Sequence, residues 1–69
     1  MKEYYAVYRN SLVYVFMLRG IKRAQVLRSF EMHIKETDIL YINAEIYGEP
    51  REATQTDFDN YRIQKPKSK

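Results

Sequence analysis

The hydrophobic and polar positions at the start of the chain follow the pattern of two paired strands. Residues 3–9 are rich in aromatic and β-branched types, the turn-prone stretch Arg9-Asn10-Ser11 follows, and an apolar run then extends from Leu12 to Leu18. Asn tolerates a positive φ, so Asn10-Ser11 can make a tight connection. The pattern predicts a β-hairpin with strands at about 3–9 and 12–18.

The second of these strands is apolar on both faces. Val13, Val15 and Met17 point away from the side that carries Leu12, Tyr14, Phe16 and Leu18, because side chains alternate along a strand. Neither face suits water, so the strand is expected to be central in its sheet. One helix can shield one face, which leaves the other to the C-terminal segment or to a second molecule. Self-association or a protein partner is therefore expected.

The next segment, 20–35, has a different period. Ala24, Leu27, Phe30 and Ile34 fall on one face of a 3.6-residue repeat, which predicts an amphipathic helix. A competing interpretation is a shorter helix followed by a strand, with Phe30, Met32 and Ile34 on one face of that strand.

Residues 39–47 alternate apolar and polar side chains and predict a half-buried strand, which Gly48-Glu49-Pro50 ends. The polar segment beyond is expected to have little regular structure, although Thr54 or Thr56 could open a short helix. Its anchors would be three apolar side chains, Phe58, Tyr61 and Ile63. The expected fold is a small α+β domain of order ββαβ over residues 1–63, with a flexible basic tail at 64–69.

Composition narrows the class of protein. The chain has 69 residues and no cysteine, which removes disulfides and thiolate chemistry. The N-terminus lacks the apolar region of a signal peptide, and the longest apolar run is far shorter than a membrane span. A cytoplasmic protein without a membrane segment is expected, and a domain this small often needs a partner subunit for stability, so a homodimer is expected too.

The sequence contains few candidate catalytic residues. The chain has one histidine, His33, which falls among polar neighbours typical of an exposed position. Four acidic residues between Glu49 and Asp59 match no calcium-loop spacing, and the two glycines fit no phosphate-binding loop. No catalytic residue, metal site, cofactor or small-molecule substrate is predicted, which favours a non-enzymatic binding protein.

Charge is divided between the two halves of the chain. Residues 1–35 carry seven Lys/Arg and two acidic residues, whereas residues 36–64 carry two Lys/Arg and seven acidic residues. Basic side chains on the predicted helix and in the tail could contact the phosphates of nucleic acid. These candidates are Arg19, Lys22, Arg23, Arg28, Lys65 and Lys67. The alternative is a solvated helix face that keeps a small protein soluble.

Seven tyrosines are the second unusual feature, and most fall on predicted strands. Their rings suit protein interfaces and the stacking of single-stranded bases, although strands favour aromatic residues in any case. The candidate protein-interface residues are Tyr5, Val13, Val15, Met17, Tyr41 and Tyr47. The composition, dense in Lys, Ile, Tyr, Asn and Glu, is similar to that of small accessory proteins of phages and mobile elements, without a motif. Two functions follow: a regulatory nucleic-acid-binding protein, or a protein-binding regulator or inhibitor that uses the tyrosine-rich sheet or the acidic segment 45–59.

Overall fold

The computed structural model describes residues 3–65, which form one antiparallel sheet of five strands and two short helices. The elements are β1 Tyr4–Val7, β2 Ser11–Leu18, β3 Ile21–Ser29, β4 Ile39–Tyr41, α1 Ala44–Tyr47, β5 Arg51–Glu52 and α2 Gln55–Tyr61. The strand order is β4-β3-β2-β1-β5, so the apolar strand β2 is central, as predicted. The predicted α+β class is confirmed, with more strand than helix.

The predicted N-terminal hairpin is confirmed, and β1 pairs antiparallel with β2. Tyr8 and Ser11 exchange backbone hydrogen bonds of 2.9 and 3.1 Å, so the loop between them consists of Arg9 and Asn10. Both loop residues have positive φ, 55° and 53°, which matches the right-handed twist of the two strands. The connection therefore lies one residue before the predicted Asn10-Ser11.

The helix predicted over 20–35 is wrong, because Ile21–Ser29 forms strand β3 and pairs with β2 along its whole length. Arg19 and Gly20 have φ values of 55° and 77° and close a second tight turn between Leu18 and Ile21. The chain thus reverses at the point where the helix was expected to begin.

Strand β3 contains a β-bulge and has apolar side chains on both faces, and the second feature explains why it resembles a helix in the sequence. The register between β2 and β3 shifts between Leu12 and Val13, which leaves Leu27 as an extra residue in β3. Leu27 packs on the opposite side of the sheet from Ala24 and Val26. Ala24 and Leu27 are therefore apolar residues three positions apart that point to opposite faces of the strand, and this spacing imitates a helical turn.

The competing strand over Phe30, Met32 and Ile34 is also wrong, because residues 30–38 form a connection without helix or strand. The strand predicted over 39–47 is correct only for its first part, β4. Residues 44–47 instead form α1, since the Asn43 side chain caps this turn by accepting a hydrogen bond from the backbone N–H of Ile46.

The sheet has a separate cover on each face. The loop face, which carries Val13, Val15, Ala24 and Val26, is covered by the connection 30–38, through Ile34, and by Ile42 after β4. The other side, the helix face, is covered only in part, by α2, and its core residues are Leu12, Phe58 and Tyr61. The polar C-terminal segment is therefore more regular than expected, and the possible helix at Thr54 is confirmed together with its predicted anchors.

Helix α2 is fixed at its N-terminus by polar contacts. Thr54 is the N-cap, and it forms a reciprocal capping box with Asp57. The Asp57 carboxylate also accepts two hydrogen bonds of 2.9 Å from the Arg51 guanidinium on β5. These contacts hold the helix against the β1–β5 side of the sheet.

Candidate protein-binding surface

Helix α2 is too short to cover the helix face. Its seven residues span about 10 Å, whereas neighbouring strands lie about 5 Å apart, so it shields roughly two strands of a five-stranded sheet. Phe58 packs against Tyr5 on β1 with ring centroids 5.5 Å apart, and it shares a core cluster with Leu12 on β2. The part of the helix face on β2, β3 and β4 beyond these contacts has no cover among the described residues.

We call this uncovered area the open patch. Residues directly opposite each other on antiparallel strands project to the same face, so the register defines its members. Its residues are Tyr14, Phe16, Leu18, Ile21, Arg23, Gln25, Ile39 and Tyr41. Phe16, Arg23 and Tyr41 form one row across the three strands, and Tyr14, Gln25 and Ile39 form the next.

The open patch is apolar and accessible. Leu18, Ile21, Ile39 and Tyr41 are 46%, 46%, 47% and 65% exposed. Two further aromatic residues, Tyr14 and Phe16, are half-buried on the central strand, with stacked rings whose centroids are 6.2 Å apart. The patch therefore offers a continuous surface of aromatic and aliphatic side chains.

Arg23 places one positive charge within the patch. Its guanidinium carbon lies 5.1 Å from the centroid of the Tyr41 ring, a cation–π distance. The Arg23 Nε atom is buried and has no hydrogen-bond partner among the described residues. A buried donor without an acceptor is a cost to the fold, and because this atom is closed to solvent it is not a contact that a partner can reach.

The strands that carry the patch are basic, with one carboxylate at the margin of the patch. Strands β2, β3 and β4 and the Arg19-Gly20 turn contain four Lys/Arg and no Asp or Glu. At the margin of the patch, the Tyr14 hydroxyl donates a hydrogen bond to the Glu3 carboxylate. This hydrogen bond raises the pKa of Tyr14 above its ordinary value and places one carboxylate, that of Glu3, at the margin of the patch.

The six basic residues predicted to bind nucleic acid do not form one surface. Arg19 lies in the β2–β3 turn, and Lys22 lies on the loop face, where its Nζ is 3.7 Å from Glu49. Arg23 is in the open patch. Lys65 is exposed after α2, and Lys67 lies outside the described residues together with the rest of the predicted tail at 66–69. The predicted basic helix that would have joined four of them does not exist.

Arg28 has a structural contact that sequence reasoning missed. Its guanidinium donates hydrogen bonds to the backbone oxygens of Tyr61, at 3.1 Å, and Arg62, at 3.4 Å, at the C-terminal end of α2. It also lies 3.3 Å from the Glu36 carboxylate. A cation at a helix C-terminus satisfies free carbonyl groups, so Arg28 holds α2 in place rather than presenting a free charge.

The six predicted protein-interface residues also separate. Val13 and Val15 are buried in the core of the loop face, so the cover expected from a second molecule is provided by the chain's own connection 30–38 and by Ile42. Met17 is half-buried on the same face, and Tyr5 lies under α2. Tyr41 is in the open patch, whereas Tyr47 is on α1, next to Arg9 at 4.0 Å.

Most residues of the open patch are not identified from the sequence, because the pattern assigns residues 20–35 to a helix instead of a strand. If 21–29 is taken as a strand, the alternation of Ile21, Arg23 and Gln25 is visible in the sequence. Their partners Phe16 and Leu18 had already been placed on one face of a two-sided strand.

Other kinds of site find little support in the part of the chain that the structure describes. Residues 3–65 enclose no pocket and hold no cluster of three or more potential metal-binding side chains. Within the same range, no helix has the length and apolar character to cross a membrane. Comparison with protein-family models, with curated proteins and with solved structures gives no match to this chain.

Proposed function

We propose that this protein is a non-enzymatic binding module whose open patch docks on another protein and regulates or inhibits it. The observation that supports this function is an uncovered sheet surface in which aromatic and aliphatic residues surround the single charge of Arg23. Protein interfaces are enriched in Tyr, Phe and Arg and poor in charge at their centre, as this patch is. The lack of cysteine supports action in the cytoplasm.

The partner that fits the patch carries a carboxylate beside apolar side chains. The strands that form the patch contain no acidic residue, and the Glu3 carboxylate lies at its margin, hydrogen-bonded to Tyr14 rather than beside Arg23. A carboxylate facing Arg23 would pair with the guanidinium, while apolar neighbours would bury Ile39, Tyr41 and Ile21.

Binding of single-stranded nucleic acid is the second candidate. The exposed ring of Tyr41 beside Arg23 and the absence of acidic residues from strands β2, β3 and β4 favour it, since bases stack on aromatic side chains. The aliphatic side chains in the patch and the dispersal of the predicted phosphate contacts favour protein. The Arg28 guanidinium in particular already contacts backbone carbonyl groups and the Glu36 carboxylate.

Selection from a random peptide display library tests the proposal directly. We expect the wild-type protein to enrich peptides in which Asp or Glu stands next to aromatic or aliphatic residues. The synthesised peptides should lose most of their affinity for Arg23→Glu, because that change reverses the only charge in the patch. Lys35→Glu is the matched control: it makes the same charge change at an exposed position in the segment that covers the loop face.

Circular dichroism of each variant shows that the fold is retained. Enriched peptides that lack acidic residues, or that bind Arg23→Glu as well as wild type, contradict the proposal. A second experiment tests nucleic-acid binding: labelled single-stranded and double-stranded nucleic acids are titrated with the protein at low salt. Binding that falls steeply with salt, without selection of acidic peptides, assigns the patch to nucleic acid instead.

A further inference from the structure

The two edges of the sheet differ in how they are protected against strand pairing. Strand β5 consists of two charged residues, Arg51 and Glu52, and follows the buried Pro50. Charge and proline at an edge discourage another strand from adding to it. Strand β4, Ile39–Tyr41, has neither, and its first and last side chains are exposed apolar residues.

The outer backbone groups of β4 can be assigned from its hydrogen bonds to β3. The oxygen of Asp38 accepts from the N–H of Val26 at 2.8 Å, and the N–H of Ile42 donates to the oxygen of Lys22 at 3.4 Å. Residues 38, 40 and 42 thus face β3, and because backbone groups alternate in direction, those of Ile39 and Tyr41 face outward. The free edge presents two donors and two acceptors in regular spacing.

We propose that a second copy of this chain occupies this edge, so that two β4 strands pair antiparallel about a two-fold axis at Leu40. In that register, Ile39 of each copy lies opposite Tyr41 of the other. Each of these residues then donates and accepts one backbone hydrogen bond, and no outward group of β4 is left unpaired. The two sheets become one continuous sheet.

The side chains are self-complementary in the same register. On the helix face, each Tyr41 ring packs beside an Ile39 side chain of the other copy, a favourable aromatic and β-branched pair. On the loop face, Leu40 meets Leu40. Strand β4 carries no charge, so the axis brings no like charges together.

A charge pair on the loop face adds specificity to this register. Lys22 lies beside Ile42 in its own sheet, and Asp38 of the second copy lies opposite Ile42. Each dimer therefore brings Lys22 near Asp38 of the other copy twice, by symmetry. The existing partner of Lys22, Glu49, is 3.7 Å away and exposed, so Lys22 can turn to the new carboxylate.

Sedimentation equilibrium of the full chain over a wide concentration range tests this inference. We expect the mean mass of wild type to rise from one chain towards two. Tyr41→Lys should weaken association by about tenfold through the lost cross-strand pairs. Ile46→Lys, at an exposed apolar position on α1 away from the edge, is the matched control and should associate as wild type does.

Charge reversal identifies the register. Lys22→Glu and Asp38→Lys alone should each weaken the dimer, because each places like charges together, and the double variant should recover part of the lost affinity. A wild-type protein that remains monomeric, a Tyr41→Lys variant that associates like wild type, or a double variant no better than the single ones overturns the proposal. The inference does not depend on a protein partner for the open patch, since these measurements use the purified chain alone.

Discussion

Asp57 joins three parts of the chain through one carboxylate. It accepts hydrogen bonds from the Arg51 guanidinium on β5 and from the backbone N–H and hydroxyl of Thr54, while its own backbone N–H caps back on Thr54. These contacts, led by the Arg51 hydrogen bonds, hold the pKa of Asp57 well below its ordinary value. A depressed pKa in the folded state stabilises the protein above the pKa of the unfolded chain, about 3.9, and this contribution is lost as the pH falls further.

We therefore expect Asp57→Asn to lower the free energy of unfolding at neutral pH, and the difference from wild type to shrink as the pH falls below about 4. Urea titrations monitored by circular dichroism from neutral to acidic pH measure this difference. Asp59→Asn is the control, because Asp59 is exposed and its carboxylate accepts only from Gln55 among the contacts that the structure describes. A gap between Asp57→Asn and wild type that does not depend on pH would contradict the assignment.

The β2–β3 hairpin depends on a turn whose first residue is poorly suited to it. Arg19 has φ 55° at a position where Asn or Gly is preferred, and Gly20 follows with φ 77°. We expect Arg19→Asn to stabilise the domain by up to about 1 kcal/mol, and Gly20→Ala to destabilise it by about 1 kcal/mol. A Cβ at Gly20 meets nothing within 4 Å, so the cost of that change is in the backbone alone.

The midpoint of urea unfolding checks both changes. Arg19→Gln serves as the control for loss of charge, because Gln gains no tolerance of positive φ and should leave the midpoint close to that of wild type. If Arg19→Asn and Arg19→Gln shift the midpoint equally, the effect comes from charge and not from the turn.

The two hairpins show which parts of the fold the amino-acid pattern predicts and which it does not. The β1–β2 hairpin, the central position of β2 and the Thr54 cap depend on neighbouring residues, so the pattern predicts them. The identity of β3 depends on its pairing with β2, and its apolar residues on both faces give a spacing typical of a helix. The open patch depends on the alignment of three strands and on the small part of them that α2 covers. Both depend on contacts between distant segments, so the pattern within one segment does not predict them.

The unequal covers of the two faces determine which apolar residues stabilise the molecule and which are available for binding. Phe58 on α2 packs onto the helix face and is 1% exposed. Phe16, on the central strand, lies beyond the end of α2 and is only half-buried. Phe58→Ala should lower the free energy of unfolding by about 3–5 kcal/mol, as expected for a fully buried ring, and nearly unfold a domain of this size.

Phe16→Ala should cost clearly less, since part of that ring is already in contact with water, but it should weaken the binding of peptides selected on the open patch. Equilibrium unfolding and peptide titration of the same preparation separate the two effects. If Phe16→Ala destabilised the protein as much as Phe58→Ala, the patch would be core rather than surface, and a partner would have no apolar area there to bury. The expected result, a folded Phe16→Ala variant with weakened peptide binding, would show that the chain stabilises one half of its helix face with α2 and leaves the other half for a partner.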